Sequence, residues 1–473
     1  MLILKLAQNS FEEETALKNS GVYIIGCSDC GESVCAASGR ISTQKGTALE
    51  IFERSHDAEK NANLITKVIR SGHTSTIEHM LFNLAFENVS VVVEQFMIEF
   101  RLASFTVKSR RYVDFSDSGF YTPDFENESL KEKYNAHMEG LFSLYSELCD
   151  GGVPKEDARF VLPYCFFSNF FCSLNGRETV NVLRAMLFGR GKDIPEIYEI
   201  GLKLLEECKK YAPGVFGNFE KDNAAYRDRT DLSFLNGFFE PESEPSLRPD
   251  VEILGFTPEC EKLVAKSALI ENAAFSAESI EKILADGEKV SKIIDCVFAS
   301  GRPRALESAS FTVRFNDISL STLTHLARHR MQSLLVPSLS NCNRKNYIIP
   351  ESVRKNGFLE KYIAAFEKTA DLFELLEKSG VPAGKSVYCL LSGNTVDVVS
   401  TMNGRELKLF FELRTCTRAQ WEIREKATAL LFELRKISPM LFKGYGPSCF
   451  SKGFCPEGRL SRGKSKEMKE KFS

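Results

Sequence analysis

The chain repeats itself, and this repeat limits the folds open to it more than any other feature. The stretch SGHTSTIEHMLFNLAF (71–86) and the stretch SGRPRALESASFTVRF (300–315) share a glycine, a glutamate and a phenylalanine at positions 229 residues apart. The motifs GVP and NGRE each occur twice, 228 residues apart. An ordered series of such matches, offset by one small insertion or deletion, indicates a tandem duplication.

A proline-rich segment separates the two copies. The stretch GFFEPESEPSLRPD (237–250) contains three prolines and little apolar content after Phe239, which is typical of a linker. We therefore predict an N-terminal copy over 1–236, a linker over 237–250, a C-terminal copy over 251–445 and a cysteine-containing basic tail over 446–473. The last part of that tail, RLSRGKSKEMKEKFS, is predicted to be a solvated, disordered end.

Each copy is predicted to contain a half-buried strand followed directly by a helix. Apolar and polar residues alternate over 82–86 and over 311–315, which buries one face of a sheet in each copy. Leucines then recur at helical spacing over 320–326 and lead into the basic triplet RHR (328–330). The triplet is therefore expected at a helix end or in the loop that follows.

A second helical pattern runs over 403–437. We expect one long amphipathic helix in which Leu407, Phe410 and Phe411 face inward. Asn403 and Arg414 lie almost three turns apart on it, along one stripe. Trp421, the only tryptophan, is predicted to lie in the core.

The charge balance argues against non-specific nucleic-acid binding. The chain has 61 Lys and Arg against 64 Asp and Glu, a formal net charge of −3, so any anion site must be local. The opening MLILKL is too short for a signal peptide, and no apolar run approaches a membrane span. We expect a cytoplasmic protein with no membrane or nucleic-acid partner.

Fourteen cysteines in such a chain predict reduced thiols rather than a disulfide framework. Two clusters stand out, Cys27, Cys30 and Cys35 in one and Cys449 and Cys455 in the other. The first contains a CxxC, but a matching second pair and a nearby histidine are missing. Incidental thiols are favoured over a metal or redox site, and no metal is predicted.

Several segments resemble the flavin-dependent thymidylate synthases. RHRMQSLLVPSLS (328–340) resembles that family's signature RHRxxSxxxxSxR, and GHTSTIEHMLF (72–82) resembles its GHxSxxEHxxF element. LVAKSALI, ARFVLP and NGRELKLFFELRTCTRAQWEI resemble further family segments, so the likeness covers nearly all of both copies. The resemblance implies an α+β fold, with a small, mostly antiparallel sheet packed with long helices in each copy.

The resemblance also implies a reaction. The family makes dTMP from dUMP, with methylene-tetrahydrofolate as the one-carbon donor, NADPH as the reductant and FAD as the hydride carrier. Its members are homotetramers with sites between subunits, so a homodimer of this duplicated chain would form a pseudo-tetramer. Arginines suit the chemistry, because a dianionic phosphate and a pyrimidine that gains electron density both call for guanidinium groups.

The C-terminal copy keeps one half of the implied site. In the family the triplet contacts flavin and nucleotide, and a helix arginine activates the uracil ring. The residues of this copy that match are Arg328, His329, Arg330, Ser333 and the implied catalytic residue Arg414. Ser340 stands where the signature needs its final, dUMP-binding arginine.

The N-terminal copy keeps the complementary half. Ser109 and Arg111 match the SxR that would bind dUMP. In contrast, Glu99 and Phe100 replace the Arg-His of the triplet, and Met186 stands at the position of Arg414.

The flavin side is divided in the same way. His73, Ser75 and Glu78 match GHxSxxE in the N-terminal copy, whereas Arg302 and Arg304 replace the histidine and serine in the other. The resemblance implies a catalytic role for His73 and cofactor contacts for Ser75 and Glu78. We therefore predict one class of composite site, shared between the copies, and a reciprocal class that is inactive.

Other implied residues fit this division less well. The remaining implied cofactor contacts are Asn175, Arg177, Asn181, Asn403 and Arg405, and the remaining implied substrate contacts are Gln95 and Arg159. Arg159 has Val387 as its counterpart, although the family would place it in the same subunit as Arg414. Asn181 has Leu409 as its counterpart, and Gln95 is one residue out of register with the family glutamine.

Plainer alternatives stay open. The RHR triplet is compatible with a solvated helix end, His73 with a loop histidine, and the NGRE residues with helix caps. At the level of function, the alternative is a degenerate paralogue that binds flavin or nucleotide without methyl transfer. The complementary losses favour the enzyme, because random decay would strike the same position in both copies as often as different ones.

Overall fold

The structure is a computed structural model that describes residues 20–226, 235, 238 and 248–473. Most of the predicted linker 237–250 lies outside the described residues. The rest divides into two compact units. The first unit is drawn from 20–94, 103–108 and 166–226, and the second from 95–102, 109–165 and the residues after the linker. The domain boundaries predicted from the sequence remain a prediction.

Strands are numbered in chain order: β1 (Gly21–Cys27), β2 (Leu81–Ser90), β3 (Ser104–Val107), β4 (Phe167–Asn175), β5 (Val251–Phe256), β6 (Ser310–Ser319), β7 (Gln332–Leu335), β8 (Asn343–Tyr347) and β9 (Asn394–Asn403).

The helices up to the linker are α1 (Gly31–Ile41), α2 (Ala48–Glu53), α3 (Ala58–Arg70), α4 (Val91–Ile98), α5 (Glu128–Asp150), α6 (Lys155–Ala158), α7 (Gly176–Leu187), α8 (Pro195–Tyr211), α9 (Pro213–Phe216) and α10 (Phe219–Asn223). Those after it are α11 (Cys260–Asn272), α12 (Ala277–Leu284), α13 (Gly287–Ala299), α14 (Leu320–Leu326), α15 (Glu351–Lys355), α16 (Leu359–Lys378), α17 (Ala383–Ser386), α18 (Gly404–Arg414), α19 (Trp421–Ile437), α20 (Pro439–Phe442), α21 (Ser448–Ser451) and α22 (Ser465–Phe472). Short 3-10 turns and irregular loops connect these elements.

The first unit contains a four-stranded antiparallel sheet with the strand order β1-β2-β4-β3. Phe82, Leu84 and Phe86 on β2 are at most 1% exposed, which confirms the buried sheet face that the alternation predicts. Phe86 stacks on Phe170 of β4 with ring centroids 4.4 Å apart. This face carries much of the core of the unit.

The second unit contains a sheet with the same order, β5-β6-β9-β7, and β8 also pairs with β9. Both sheets have a register shift at the same place, between Phe86 and Val89 on β2 and between Phe315 and Ile318 on β6. Within each shift lies a residue with positive φ, Asn88 in one and Asp317 in the other. Asn and Asp tolerate this conformation better than other side chains. The bulge has therefore been duplicated with the fold, and the α+β prediction is confirmed.

Segments of both copies meet inside the second unit. Pro163 and Leu391, which are counterparts, form an antiparallel bridge. The backbone N–H of Tyr164 donates to the Leu390 carbonyl at 2.6 Å, and that of Ser392 donates to the Leu162 carbonyl at 2.9 Å. The long helices α5 and α16, also counterparts, pack against each other. Equivalent segments that pair with each other indicate a local two-fold axis, as in an isologous dimer.

Three expectations from the sequence are wrong. The pattern over 403–437 forms two helices, α18 and α19, because the side chain of Gln420 caps a new helix by accepting from the backbone N–H of Ile423 at 3.1 Å. Trp421 is only partly buried, although its Nε1 donates to the buried Asp157 at 2.8 Å. The basic tail is ordered, because Met468 and Phe472 lie one turn apart on α22 and are both buried.

Among the described residues, no helix has the length and apolar character needed to cross a membrane.

Candidate active site

Arginines from both copies meet on a buried histidine in the second unit. His325 lies in the last turn of α14 and is 6% exposed. Arg159, in the turn after α6, places Nη2 3.4 Å from His325 Nε2. Arg414, the last residue of α18, donates from Nη2 to the His325 carbonyl at 3.0 Å. The sequence treats Arg159 and Arg414 as a misfit because they belong to different copies, but the fold brings both to the same residue.

Two further arginines act on the same histidine. Burial, followed by the charges of Arg159, Arg414, Arg328 and Arg111, holds the pKa of His325 well below its ordinary value. His325 is therefore neutral at physiological pH. We call Arg111, Arg159, Arg328 and Arg414 the arginine cluster.

The cluster keeps its positive charge despite burial. Burial, then Arg110 and Arg111, lowers the pKa of Arg159 to about 9. Burial, then Arg328 and Arg111, lowers the pKa of Arg414 to about 10. Both guanidinium groups remain protonated at neutral pH, so each is still repelled by the arginines that lower its pKa. A site of this kind favours a ligand with concentrated negative charge.

Arg414 is held by a chain of two further side chains. Its Nε donates to His329 Nε2 at 2.9 Å, and His329 Nδ1 lies 2.8 Å from a carboxylate oxygen of Glu406. Because an arginine only donates, His329 accepts at Nε2 and carries its proton on Nδ1, facing Glu406. His329 is 3% exposed and Glu406 is 5% exposed. Both ring nitrogens are therefore used to orient Arg414, and a hydrogen bond from this ring to flavin would break one of these contacts.

Arg111 has a different setting. Its Nε donates to Glu156 at 2.7 Å, and its Nη1 donates to the Arg418 carbonyl at 3.0 Å. Ser109 accepts from the backbone N–H of Arg111 at 3.4 Å and thereby shapes the turn that carries it. Glu156 is a carboxylate paired with the cluster, and it offsets part of the positive charge.

The other implied residues of the C-terminal copy lie at the surface. Arg328 and Arg330 are exposed, directly after α14, as expected for the triplet. Ser333 is exposed on β7. Exposed and buried side chains alternate along the triplet: His329 points inward, and its two neighbours are exposed.

The reciprocal positions lack this chemistry. The counterparts of Arg111, Arg159, Arg328 and Arg414 are Ser340, Val387, Glu99 and Met186. Phe100 stands at the position of His329. All four arginines of the cluster therefore belong to one site class and none of their counterparts is an arginine.

The implied flavin-side residues of the N-terminal copy lie in the first unit. His73 precedes the 3-10 turn Thr74–His79, and both His73 and Ser75 are exposed. Glu78 accepts from Arg177 at 2.7 Å. The equivalent pair in the second unit, Glu307 and Arg405, has the same contact at 2.5 Å.

Both NGRE asparagines cap helices. Asn175 accepts from the backbone N–H of Glu178 at the start of α7, at 2.8 Å. Asn403 accepts from the N–H of Glu406 at the start of α18, at 2.9 Å. This is the cap alternative that the sequence left open.

Two implied contacts bond to carboxylates of their own copy. Asn181 donates to Glu178 at 3.1 Å, and Gln95, which is buried in the second unit, donates to Glu99 at 2.9 Å. Because Glu99 is the counterpart of Arg328, Gln95 belongs with the reciprocal positions rather than with the arginine cluster. Ligand roles for Gln95 and Asn181 stay predictions.

Sequence reasoning missed four residues that build this site: His325, Glu406, Glu156 and Arg418. His325 lies four residues before His329, one helical turn away, and Glu406 is part of an NGRE motif, so both gave a weak signal. Nothing in the sequence pointed to Glu156 or Arg418.

All fourteen cysteines are free thiols. Throughout the described part of the chain, no group of three His, Cys, Asp or Glu side chains is arranged to hold a metal ion.

Comparison with known proteins identifies the family to which both copies belong. The sequence model of the family described as thymidylate synthase complementing protein matches twice, over residues 24–214 and 252–440. The flavin-dependent thymidylate synthase of Clostridium tetani is 35% identical over 239 residues, which cover 46% of this chain and 95% of that protein. The enzyme of the same name from Geobacter sulfurreducens is 32% identical over 227 residues, covering 47% and 97%. Among solved structures, a UMP/dUMP methylase from Streptomyces cacaoi aligns at 20% identity and a TM-score of 0.37, over 44% of this chain and 96% of that one.

Each of these relatives matches just under half of the chain, and the family model matches both copies over most of the chain. This protein therefore belongs to the thymidylate synthase complementing protein family, the family of the flavin-dependent thymidylate synthases, and carries two tandem copies of it.

Proposed function

We propose that the chain is a flavin-dependent thymidylate synthase. It methylates dUMP to dTMP, with methylene-tetrahydrofolate as the one-carbon donor, NADPH as the reductant and FAD as the cofactor. The observation that carries the proposal is the arginine cluster: Arg159 of one copy and Arg414 of the other contact His325, the charges of Arg328 and Arg111 also act on it, and the four reciprocal positions hold no arginine.

The cluster suits the phosphate of a nucleotide. Guanidinium groups donate in a fixed fork and bind phosphate oxygens in pairs. A dianion among Arg111, Arg159 and Arg328 would relieve the like-charge repulsion between them. Glu156 holds Arg111 from one side, at 2.7 Å, and so fixes the direction in which the rest of its guanidinium faces.

Arg414 is placed to act on the base. Its Nε and Nη2 are engaged by His329 and by the His325 carbonyl, which leaves Nη1 as the donor available to a ligand. A pyrimidine that is attacked or reduced gains electron density on its carbonyl oxygens, and a fixed guanidinium stabilises that charge. His329 and Glu406 prevent the guanidinium from turning away, so less reorganisation is needed during the reaction.

The accessible donors fit an anionic cofactor. Arg328 and Arg330 are exposed cations in the second unit, and His73 and Ser75 are exposed in the first. FAD, when bound, would supply the hydride that reduces the one-carbon unit on the base to a methyl group. In the second unit Arg328 and Arg330 would contact the anionic groups of FAD, and in the first unit His73 and Ser75 remain predicted flavin contacts, whereas Asn175 and Asn403 already serve as helix caps.

The active assembly is proposed to be a homodimer that forms a pseudo-tetramer. The local two-fold relation between Pro163 and Leu391 supports this, because the fused copies already pair as two subunits would. A cytoplasmic location remains an expectation.

The alternative is a paralogue that binds flavin or nucleotide without methyl transfer. One observation favours it: Asn181 donates to Glu178, and the counterpart of Asn181 is Leu409, so neither copy offers this implied cofactor contact freely.

The two functions separate in one experiment. The purified protein is titrated with FAD and dUMP, and dTMP is measured after addition of methylene-tetrahydrofolate and NADPH. We expect about one FAD per chain, a change in the flavin spectrum on adding dUMP, and dTMP formation. About two FAD per chain would contradict the division into one active and one inactive class. Binding of FAD and dUMP without dTMP would establish the paralogue, and no binding of either would reject both functions.

A further inference from the structure

The last 28 residues form an ordered segment beyond the region that matches the family. The family match ends at residue 440, and the segment 446–473 contains α21, a 3-10 turn and α22. We call 446–473 the C-terminal strap. Its far end is anchored by Phe472, which is fully buried and stacks on Phe432 of α19 with ring centroids 5.9 Å apart.

The strap also contacts α18, the helix that ends at Arg414. Lys452 forms an ion pair with Glu412 at 2.6 Å, and Ser451 donates to the same carboxylate at 3.3 Å. The Glu412 carboxylate is buried, whereas the Lys452 side chain is 42% exposed, so solvent reaches the ion pair from the lysine side. The contact therefore fixes the position of the strap against α18 and contributes only modestly to stability.

Beyond α18, the strap holds the loop 415–420. Arg418 donates to the Leu460 carbonyl at 2.9 Å and pairs with Glu457 at 3.1 Å. Arg462 donates to the Thr417 carbonyl at 2.7 Å. Two neighbouring residues of the loop are therefore tied to the strap by three charged contacts.

The opposite side of that loop faces the arginine cluster. The Arg418 carbonyl accepts from Arg111 Nη1 at 3.0 Å. Arg111 is thus fixed from two directions, by Glu156 and by a carbonyl whose own residue is held by the strap. Movement of the loop would remove one of the two contacts that set the direction of the guanidinium.

We propose that the C-terminal strap is a positioning element for the nucleotide phosphate, acting through Thr417 and Arg418 on Arg111. The inference rests on the proposed function, since it assumes that Arg111 binds the phosphate of dUMP. It serves a single site class, because the counterpart of Arg111 is Ser340. Glu457 and Arg462 are positioning residues and touch no substrate.

The test compares two double variants of the full-length protein. Arg462→Ala with Glu457→Gln removes two of the strap contacts to the loop. Arg459→Ala with Glu470→Gln makes the same charge changes at two exposed strap residues and is the matched control. For each protein we would measure FAD per chain, the dissociation constant of dUMP, kcat and KM, and amide hydrogen exchange over 415–420.

We expect the first variant to bind dUMP about three- to tenfold more weakly, to show a higher KM at unchanged kcat, and to exchange the loop amides faster. FAD content should equal that of the control, which separates positioning from a general loss of folding. If both variants bind dUMP as the unchanged protein does, the strap has no positioning role, although the proposed function stands. If the unchanged protein does not bind dUMP, the proposed function fails and the inference fails with it.

Discussion

At the scale of single residues, the arginine cluster is the feature that most needs a physical account. The charges of four guanidinium groups act on His325, and Arg111 is paired directly with Glu156. A neutral histidine at the centre limits the repulsion, because protonation of His325 would add a fifth positive charge. Its Nε2 then accepts from Arg159 instead of competing with it.

Arg111 and Arg328 should act as a unit, although they come from different copies. We expect Arg111→Ala and Arg328→Ala each to weaken dUMP binding about ten- to a hundredfold, because each removes a charged donor from the phosphate. The double variant should bind little worse than either single variant. Binding would be measured by calorimetry.

Ser340→Ala is the matched control for Arg111→Ala, since Ser340 is its counterpart. It should leave dUMP binding unchanged. If the loss of dUMP affinity in the double variant equals the product of the two single losses, the two arginines do not share a site.

Glu406 is expected to matter for turnover through His329. Glu406→Gln weakens the hydrogen bond that keeps the His329 proton on Nδ1, so Nε2 accepts less well from Arg414. We expect kcat to fall about tenfold, by analogy with the loss of a partner that orients a metal-binding histidine. Steady-state kinetics and thermal melting would be measured together.

The control is Glu178→Gln, at the equivalent place in the other copy, where Phe100 replaces the histidine. Glu178 is also 5% exposed, so its variant reports the general effect of neutralising this buried carboxylate on stability. If Glu406→Gln and Glu178→Gln lose the same stability but kcat falls further in Glu406→Gln, the orienting role of Glu406 is supported. If kcat falls equally in both variants, Glu406 has no orienting role.

At the scale of elements, helix ends build the site. The last carbonyls of α14 have no partner within their own helix, and Arg414 donates to one of them, that of His325. Arg414 itself ends α18, where the negative end of the helix dipole favours a positive charge. The break between α18 and α19 is thus part of the site. In a continuous helix, the backbone carbonyls of residues 415–420 would accept hydrogen bonds within the helix and would not be available to other side chains.

The packing of α5 against α16 should make stability depend on pH. His137 of α5 lies 2.8 Å from the Thr369 hydroxyl of α16. Burial, then the charge of Lys368, lowers the pKa of His137 from 6.5 to about 4. Between these values the unfolded chain binds a proton that the folded chain does not, so stability falls as the pH is lowered through this window.

When the pH is lowered from about 6.5 to about 5, the free energy of unfolding should fall in both proteins. The fall should be about 1–2 kcal/mol smaller in His137→Gln than in the unchanged protein. Urea unfolding at both pH values measures the difference. His56→Gln, at an exposed histidine, is the control and should follow the unchanged protein. An identical pH response of the two variants would exclude His137 as the source.

At the scale of the whole molecule, the duplication allows one site class to collect what the other has lost. In a homo-oligomer each substitution appears in every site, but in a fused pair each copy changes independently. The arginines of the cluster survive once each, always on the side of the same site class. This distribution is expected when selection maintains one site and releases its reciprocal.

Association of two chains is a prediction from the family resemblance. Light scattering on the purified protein should give a particle of two chains, because the family's four subunits correspond to four copies. Dilution should lower dTMP formation in parallel with dissociation. A fully active single chain would contradict the pseudo-tetramer while leaving the arginine cluster intact.

Much of this protein could be predicted from its sequence. The duplication, the buried strands β2 and β6, the helix α14 and the split of the signature residues are all patterns of period or spacing along the chain. Such features depend on residues that lie close together along the chain. The break at Gln420 and the ordered tail were missed, because a cap and a docked apolar face each depend on what lies nearby in space.

The sequence by itself therefore determined the family, the two copies and which residues each copy retains. Only the tertiary structure decided that Arg159 and Arg414 share His325, and that Glu406 turns His329 inward to hold Arg414. Arg159 and His325 are 166 residues apart in the chain. No periodicity or motif spacing encodes a contact over that distance, because it arises from the packing of two segments whose pairing is fixed by the fold.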